Sequence, residues 1–330
     1  MVEVKLIPEK VLKYLDDDFE TLDLNSYCDL NNILDQSRSV KVKAPLMIEG
    51  NYPIRLTVKE VKNPAFCKEY TIENGQGIDV KNLYPGNVYV CEFVGSDGSV
   101  AREEFCTQDR LPCMLDIDGL RNVRDFGGWN ASGGKLRKRL IYRGSELNLV
   151  ADHGIELTEE GRRVLTEEMG IKTDIDLRNE KESLYITESP IGSHVNYHRK
   201  TVLGYMDMFK AEFNETIKDI LEILSEKDNY PVYVHCWAGA DRTGTVLAVL
   251  KAALGVSYEE ITRDHEVSTF SIFGVRGRCA KEFTYVEVFE HLKTVYPAAT
   301  LEEQAKRYLF EKVGISKETF SKIRSILVEE

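Results

Sequence analysis

The 330-residue chain carries 55 acidic against 43 basic side chains, a formal net charge of −12, and 42% of its residues are hydrophobic. That balance supports buried cores and argues against nonspecific binding to nucleic acid or anionic lipid, where a basic surface supplies most of the affinity. No stretch of about eighteen apolar residues offers a membrane span, and the opening MVEVKLIPEKVLKYLDDDFE lacks the basic-then-apolar pattern of a secretory leader. The expected compartment is the cytoplasm, or the exterior if a leader has been trimmed.

The length exceeds the usual size of one core, and the pattern changes near Arg110, so two domains are predicted, over 1–110 and 111–330. Met1 to Arg38 is polar and acidic, and reads as an extra strand, a helix or an arm. From Val40 to Thr107, short alternating runs such as YPIRLTVKEV and GNVYVCEFV are separated by the turns NGQG, LYPGN and GSDGS. They predict a small antiparallel sandwich, and LYPGNVYVCEF is similar to the turn and strand of a fibronectin type III-like module. Such a domain is expected to bind a partner or to wall a cleft. The seven cysteines are odd in number, with neither CxxC pairs nor metal-spaced histidines, so free thiols are expected and zinc is not.

Beyond Arg110, DGLRNVRDFGGWNASGGKLRKRLIYRGSEL holds two glycine-rich turns, and helix-like ELTEEGRRVLTEEMG leads into the strand IKTDIDLR. A helical stretch from Phe209 to Glu226 precedes the strand PVYV. Strand alternating with helix predicts an α/β domain, with a central mostly parallel sheet flanked by helices. Gly255 is placed to stop one helix, Ser257 with Glu260 to start the next, and Thr300 with Glu303 to cap another that Gly314 ends before Ser316 opens the last. Arg124, Asp125 and Arg143 read as ion pairs pinning a hairpin to the sheet, and KLRKRLIYR as a solvated strand face.

The chemistry concentrates in HCWAGADRTG, residues 235–244, between PVYV and the helical RTGTVLAVLKAAL. Ligands settle where a parallel strand runs through a loop into a helix. Ala238, Gly239 and Ala240 are small enough for successive backbone N–H groups to converge on one anion, and the helix N-terminus adds positive potential. A thiol under such a cradle favours its thiolate, making Cys236 a nucleophile, while Arg242 can grip two oxygens of a tetrahedral anion with its planar fork. Phosphoryl transfer needs little more than this. Thr243 is expected near the sulfur to assist its departure, and His235 to orient the loop.

This loop resembles that of the cysteine-dependent protein tyrosine phosphatases, closest to the bacterial tyrosine and dual-specificity group with HC-x-x-G-x-DRTG. DGLRNVRDFGGW, LIYRGSEL, DIDLR and GISKETFSKIRSIL look like further segments of the same group, covering roughly residues 113 to 328. The resemblance implies a cysteinyl-phosphate intermediate, no metal and no cofactor, with a phosphorylated protein or small phosphate ester as substrate. Members often carry lysine where this chain has Ala240, a cation associated with phosphoinositide hydrolysis; Trp237 instead offers an aromatic wall. A leaving oxygen needs a proton, and the resembling group points to Asp241, with Asp207 in LGYMDMF and Asp176 in DIDLR as the alternatives. Rival readings are a phosphoinositide or inositol phosphate phosphatase, a sulfurtransferase or arsenate reductase, and a catalytically inactive phosphate-binding scaffold.

Overall fold

The computed structural model describes residues 2–16, 39–148, 155–271, 274–277 and 282–330. Cys28, Cys279 and most of the acidic stretch before Arg38 lie outside them. Within the described part of that stretch are a strand, β1 (Val2–Val4), and a helix, Glu9–Asp16. Five cysteines, Cys67, Cys91, Cys106, Cys113 and Cys236, are free thiols.

The alternating N-terminal runs become β2 (Ser39–Val42), β3 (Ile54–Glu60), β4 (Asn63–Ile72), β5 (Ile78–Lys81), β6 (Val88–Val94) and β7 (Val100–Thr107). They form a five-stranded sheet in the order β1-β7-β6-β3-β4 and a separate β2-β5 pair. Alternation does the sorting. Leu56 and Val58 of β3, Tyr89, Cys91 and Phe93 of β6 and Val80 of β5 all enter one apolar cluster; between them Val90 and Glu92 of β6 are half-buried, while Thr57 of β3 is buried as well.

The second half is built on β8 (Arg124–Asp125), the short hairpin β9 (Asn130–Ala131) and β10 (Gly134–Leu136), then β11 (Ile141–Gly144), β12 (Thr173–Asp176), β13 (Asn196–Arg199) and β14 (Val232–His235), with β15 (Val328–Glu329) closing on β10. The central sheet runs β13-β12-β14-β11-β8, its first four strands parallel and β8 antiparallel. Ile141, Ile175, Val232 and Val234 face a core beneath the helices Asn214–Leu224, Arg242–Ala253 and Lys317–Leu327. Tyr142 and Tyr233 face a smaller core with Ile155, Leu165 and Ile171. Both faces of the parallel strands are thus covered, the usual condition for such a sheet.

The helix signals worked where a side chain could serve as cap. Ser257 accepts the Glu260 N–H, Thr300 and Glu303 complete a capping box, Gly314 ends its helix at φ 81°, and Ser316 accepts the Thr319 N–H. From Phe209 to Glu226 the regular helix is confined to Asn214–Leu224, behind two short 3₁₀ turns at Tyr205–Phe209 and Ala211–Phe213.

The basic run KLRKRLIYR is not a solvated face. Arg137 donates to the carbonyls of Ser325 and Ile326, Lys138 to that of Pro85, and Arg139 pairs with Glu60 and lies 3.9 Å from the Tyr84 ring centroid. With the buried Tyr84–Tyr142 hydroxyl contact at 3.0 Å and the reciprocal Asn82–Asp116 bonds, this run forms the seam between the two sheets. The seam lies toward the start of β11, whereas the helix Glu9–Asp16 reaches round to pack on Val267–Phe270.

Candidate active site

Cys236 sits directly after β14, only 2% exposed, and the helix Arg242–Ala253 starts six residues later. Between them every carbonyl is pulled outward by a named donor. The Trp237 carbonyl accepts the Glu146 N–H at 3.0 Å, Ala238 accepts Asn122 Nδ2 at 3.1 Å, and Gly239 accepts Arg143 Nη2 at 2.7 Å. The same nitrogen reaches the Ala240 carbonyl at 3.4 Å, and the Asp241 carbonyl accepts both the N–H and the hydroxyl of Thr245 at 2.8 Å. A peptide plane points its N–H opposite its C=O. Fixing the carbonyls of residues 237–241 outward therefore turns the N–H groups of the following residues toward the loop's interior, over the thiol.

Gly239 makes the bend possible at φ 64°, and a Cβ there would overlap the Gly144 carbonyl. Arg242 folds back beside the thiol, its Nη1 donating to Glu182 Oε2 at 2.8 Å. Burial opposes the Arg242 charge, but Cys236 and Glu182 outweigh it and raise the arginine above its ordinary value. Glu182 is itself aimed by reciprocal bonds with Asn179, whose N–H it accepts. The Thr243 hydroxyl is buried in the first helical turn with no hydrogen-bond partner among the described residues, and Trp237 is half-buried.

Behind the loop lies a dense ionic layer. Arg124, Arg143 and Lys251 converge on the single carboxylate of Asp264, at 2.8, 3.0 and 3.0 Å, and all four side chains are essentially inaccessible. Arg124 also donates to the Asn122 side chain, so the same network aims both Asn122 and Arg143 at the loop. On the other side, His235 is wedged between Asp174 and Asp176, at 3.0 and 3.9 Å, with Nδ1 3.3 Å from the Cys236 carbonyl. Burial disfavours its charge, but Asp176 and Asp174 outweigh burial and raise the imidazole pKa.

The sequence profile described as "Tyrosine phosphatase family" matches residues 115–329, from the first glycine-rich turns through the loop to the final strand. The chain belongs to the tyrosine phosphatase family. Curated relatives named "Putative tyrosine-protein phosphatase OCA1" are similar in part. That of Debaryomyces hansenii is 37% identical over 57 residues, 17% of this chain and 29% of its own, and that of Scheffersomyces stipitis 31% identical over 85 residues, 26% and 38%. The chain therefore spans well under half the length of these relatives. Among solved structures, the core catalytic domain of the PP-IP phosphatase SIW14 from S. cerevisiae, in complex with citrate, aligns with a TM-score of 0.30 at 17% identity, over 42% of this chain and 74% of that one.

For this tyrosine phosphatase family member, the three carboxylates weighed as proton donors occupy different surroundings. Asp176 is fully buried, accepting from the Arg178 backbone and guanidinium and from Tyr197 at 2.7–3.0 Å. Burial raises it, but His235 and Arg178 win and hold it below the ordinary carboxylate range, as a structural anion. Asp207 is exposed and pairs with Lys210 at 2.7 Å. Asp241 accepts Arg276 Nε at 2.7 Å, Arg276 Nη2 at 3.2 Å and the Tyr205 hydroxyl at 2.6 Å. Burial again raises the pKa, and Arg276 with Tyr205 overrides it, leaving Asp241 below the ordinary value.

Sequence reasoning brought together Cys236, Arg242 and the loop backbone. It assigned Arg124 and Arg143 to structural pairing, and they are buried and paired, but it missed that Arg143 holds the loop's carbonyls. It also missed Glu182, Tyr205, Arg276, Asn122, Lys251 and Asp264. Glu182 follows DIDLR closely enough for the strand end to point to it; Arg276 carries no comparable signal.

Proposed function

We propose that the chain hydrolyses phosphomonoesters through a cysteinyl-phosphate on Cys236, with aryl phosphates of the phosphotyrosine type as substrates. The observation that carries this is the outward anchoring of five successive carbonyls around a buried thiol, with Arg242 held beside it by Glu182. In this reading the Cys236 sulfur attacks phosphorus in line, the backbone N–H groups of Ala238, Gly239 and Ala240 and the Arg242 guanidinium hold the equatorial oxygens, and Thr243 assists the sulfur when water attacks. Asp241 is the loop's own carboxylate beside this chemistry, held as an acceptor by Arg276 and Tyr205, and Trp237 packs on the substrate ring.

An aryl ester is favoured by the side chains carried on elements that touch the loop. Leu184 and Tyr185 follow Glu182, Leu203 precedes Gly204 at the helix start, and Phe283 lies 5.9 Å from the Tyr205 ring; all four are exposed apolar residues. Ala240 contributes no charge, and the Arg276 guanidinium is taken by Asp241, so a polyanionic inositol phosphate meets fewer cations here than in loops with lysine at this place. The same reading takes residues 1–110 as a separate domain, a β-sandwich with the helix Glu9–Asp16 beside it, and 111–330 as the phosphatase domain.

The test is hydrolysis of a phosphotyrosine peptide, an inositol phosphate and 4-nitrophenyl phosphate at equal enzyme concentration in reductant, with Cys236→Ser alongside. Turnover of the aryl esters that disappears in the variant is expected. Turnover confined to the inositol phosphate would replace the substrate assignment, and tight phosphopeptide binding without turnover would make the protein a phosphate-binding scaffold.

A further inference from the structure

Asp241 is clamped from two elements outside the loop. Arg276 arrives from the segment after the helix Tyr258–Glu266, and its place is fixed at several points. Its N–H donates to Thr269 Oγ1 at 3.0 Å, its carbonyl accepts from that hydroxyl at 2.7 Å, and Nη1 donates to the Val275 carbonyl at 3.1 Å. The guanidinium carbon lies 4.4 Å from the Phe283 ring centroid. Tyr205 comes from the 3₁₀ turn before the Asn214 helix, and its N–H donates to Thr245 Oγ1 at 2.8 Å, so its backbone is tied to the Arg242 helix. The remaining titratable neighbours stand behind Tyr205. His265 Nε2 is 3.3 Å from its hydroxyl, burial holds that imidazole neutral with a pKa near 3, and the Tyr285 ring stacks on it at 4.0 Å.

A proton donor to the leaving oxygen must hold its proton when the P–O bond breaks. A carboxylate that already accepts three hydrogen bonds, two of them from a guanidinium, holds none. We infer that Arg276 and Tyr205 are positioning residues that keep the Asp241 carboxylate an acceptor, so that the resting loop favours esters whose alcohol departs without a proton, aryl over alkyl phosphates. This rests on the proposed phosphatase chemistry. The P–S bond forms as the P–O bond breaks, and the electron pair leaves on oxygen as a phenolate that takes its proton from solvent. An alkoxide, several pKa units more basic than a tyrosine phenolate near 10, cannot leave comparably. Water then attacks phosphorus, and the thiolate departs from the P–S bond.

The experiment compares kcat/KM for 4-nitrophenyl, phenyl and benzyl phosphate in the full chain, in Arg276→Met, in Tyr205→Phe and in each combined with Asp241→Asn. The parent is expected to lose at least about 100-fold from phenyl to benzyl phosphate, the order of a missing general acid. Arg276→Met is expected to raise the benzyl to 4-nitrophenyl ratio about 10-fold, and Asp241→Asn to remove that gain. Should Arg276→Met fail to fold, Tyr205→Phe, which keeps the ring and deletes one donor, is expected to move the ratio the same way by a smaller factor. An unchanged ratio in a folded variant, or a parent that hydrolyses benzyl and phenyl phosphate equally, overturns the inference. Carboxyl ¹³C titration of Asp241 reads the clamp without turnover: its midpoint rises in Arg276→Met if the clamp holds and stays put if it does not. A parent inactive even on 4-nitrophenyl phosphate sinks the phosphatase reading, while that titration still decides the clamp.

Discussion

Gly239→Ala tests how closely the loop's curvature is built into the fold, and Gly170→Ala supplies its control. Both glycines have φ near 64°, but no atom of the described residues lies within 4 Å of a Cβ built at Gly170, whereas one at Gly239 overlaps the Gly144 carbonyl and comes within 2.9 Å of Gly144 Cα. The left-handed conformation costs a non-glycine residue about 1 kcal/mol, the penalty expected at both sites. At Gly239 the overlap must also be relieved, and Gly144 cannot retreat, because a Cβ at Gly144 would itself overlap the Tyr233 hydroxyl and β11 is locked to β14 in register. The loop is then the part that yields, by about 1 Å, and displacements of that size at a reacting centre cost about 100-fold in rate. Urea unfolding and aryl phosphate kinetics on both variants are the assay. Gly170→Ala should lose about 1 kcal/mol and keep its kcat/KM; Gly239→Ala should lose more stability and about 100-fold in kcat/KM. Full activity in a folded Gly239→Ala would refute the claim that the cradle's shape depends on this contact.

Glu182→Ala frees Arg242 from its 2.8 Å partner, and inorganic phosphate should inhibit the variant about 10-fold less well; unchanged inhibition would show that Arg242 is held without it. Burial raises Glu146 to about 7 against the pull of Arg178, while an unfolded glutamate titrates near 4.3, so the folded state binds the extra proton between those values and stability falls as pH rises across that window. The loss is on the order of 3 kcal/mol. Urea midpoints at pH 5, 6 and 8 should show this decline, and Glu146→Gln should flatten it except for the similar contribution of Asp125, raised by burial to about 6; a slope unaffected by the substitution would refute the assignment.

Local signals along the chain set the frame and missed what depends on contacts between residues far apart in it. Caps at Ser257, Thr300 and Ser316 were legible because an oxygen three residues before an amide does the same work in any helix. Cys236 and Arg242 were legible as a pair because strand, small residues and helix bring them together within eight positions. Arg276 and Glu182 were not, since they meet the loop from 35 and 60 residues away and their partners are set by tertiary packing alone. The basic run misled for a related reason. Its run of cations suits a solvated strand, and only the docking of the N-terminal sheet, through Glu60, Tyr84 and Pro85, takes Lys138 and Arg139 partly out of water.

The ionic layer behind the loop invites a comparison of stability with function. Arg124, Arg143 and Lys251 surround one carboxylate, leaving two positive charges in excess in a chain whose net charge is −12. Burying cations costs free energy that one carboxylate does not fully offset, and the cost is visible in Lys251, which burial draws down to about 8 despite Asp264 3.0 Å away. Stability alone gives no reason to keep the third cation. Its side chain lies 5.0 and 4.9 Å from the rings of Phe126 and Trp129, surroundings in which a methionine would pack. The excess charge has a use if an anion is to sit on the other side of the loop, since fixed positive charge in a low-dielectric layer attracts it without any rearrangement. Lys251→Met should therefore leave stability unchanged within about 1 kcal/mol, or raise it, while weakening inhibition by tungstate about 5-fold. A variant that is strongly destabilised and binds tungstate as the parent does would show that Lys251 neutralises Asp264 and contributes nothing to the cradle.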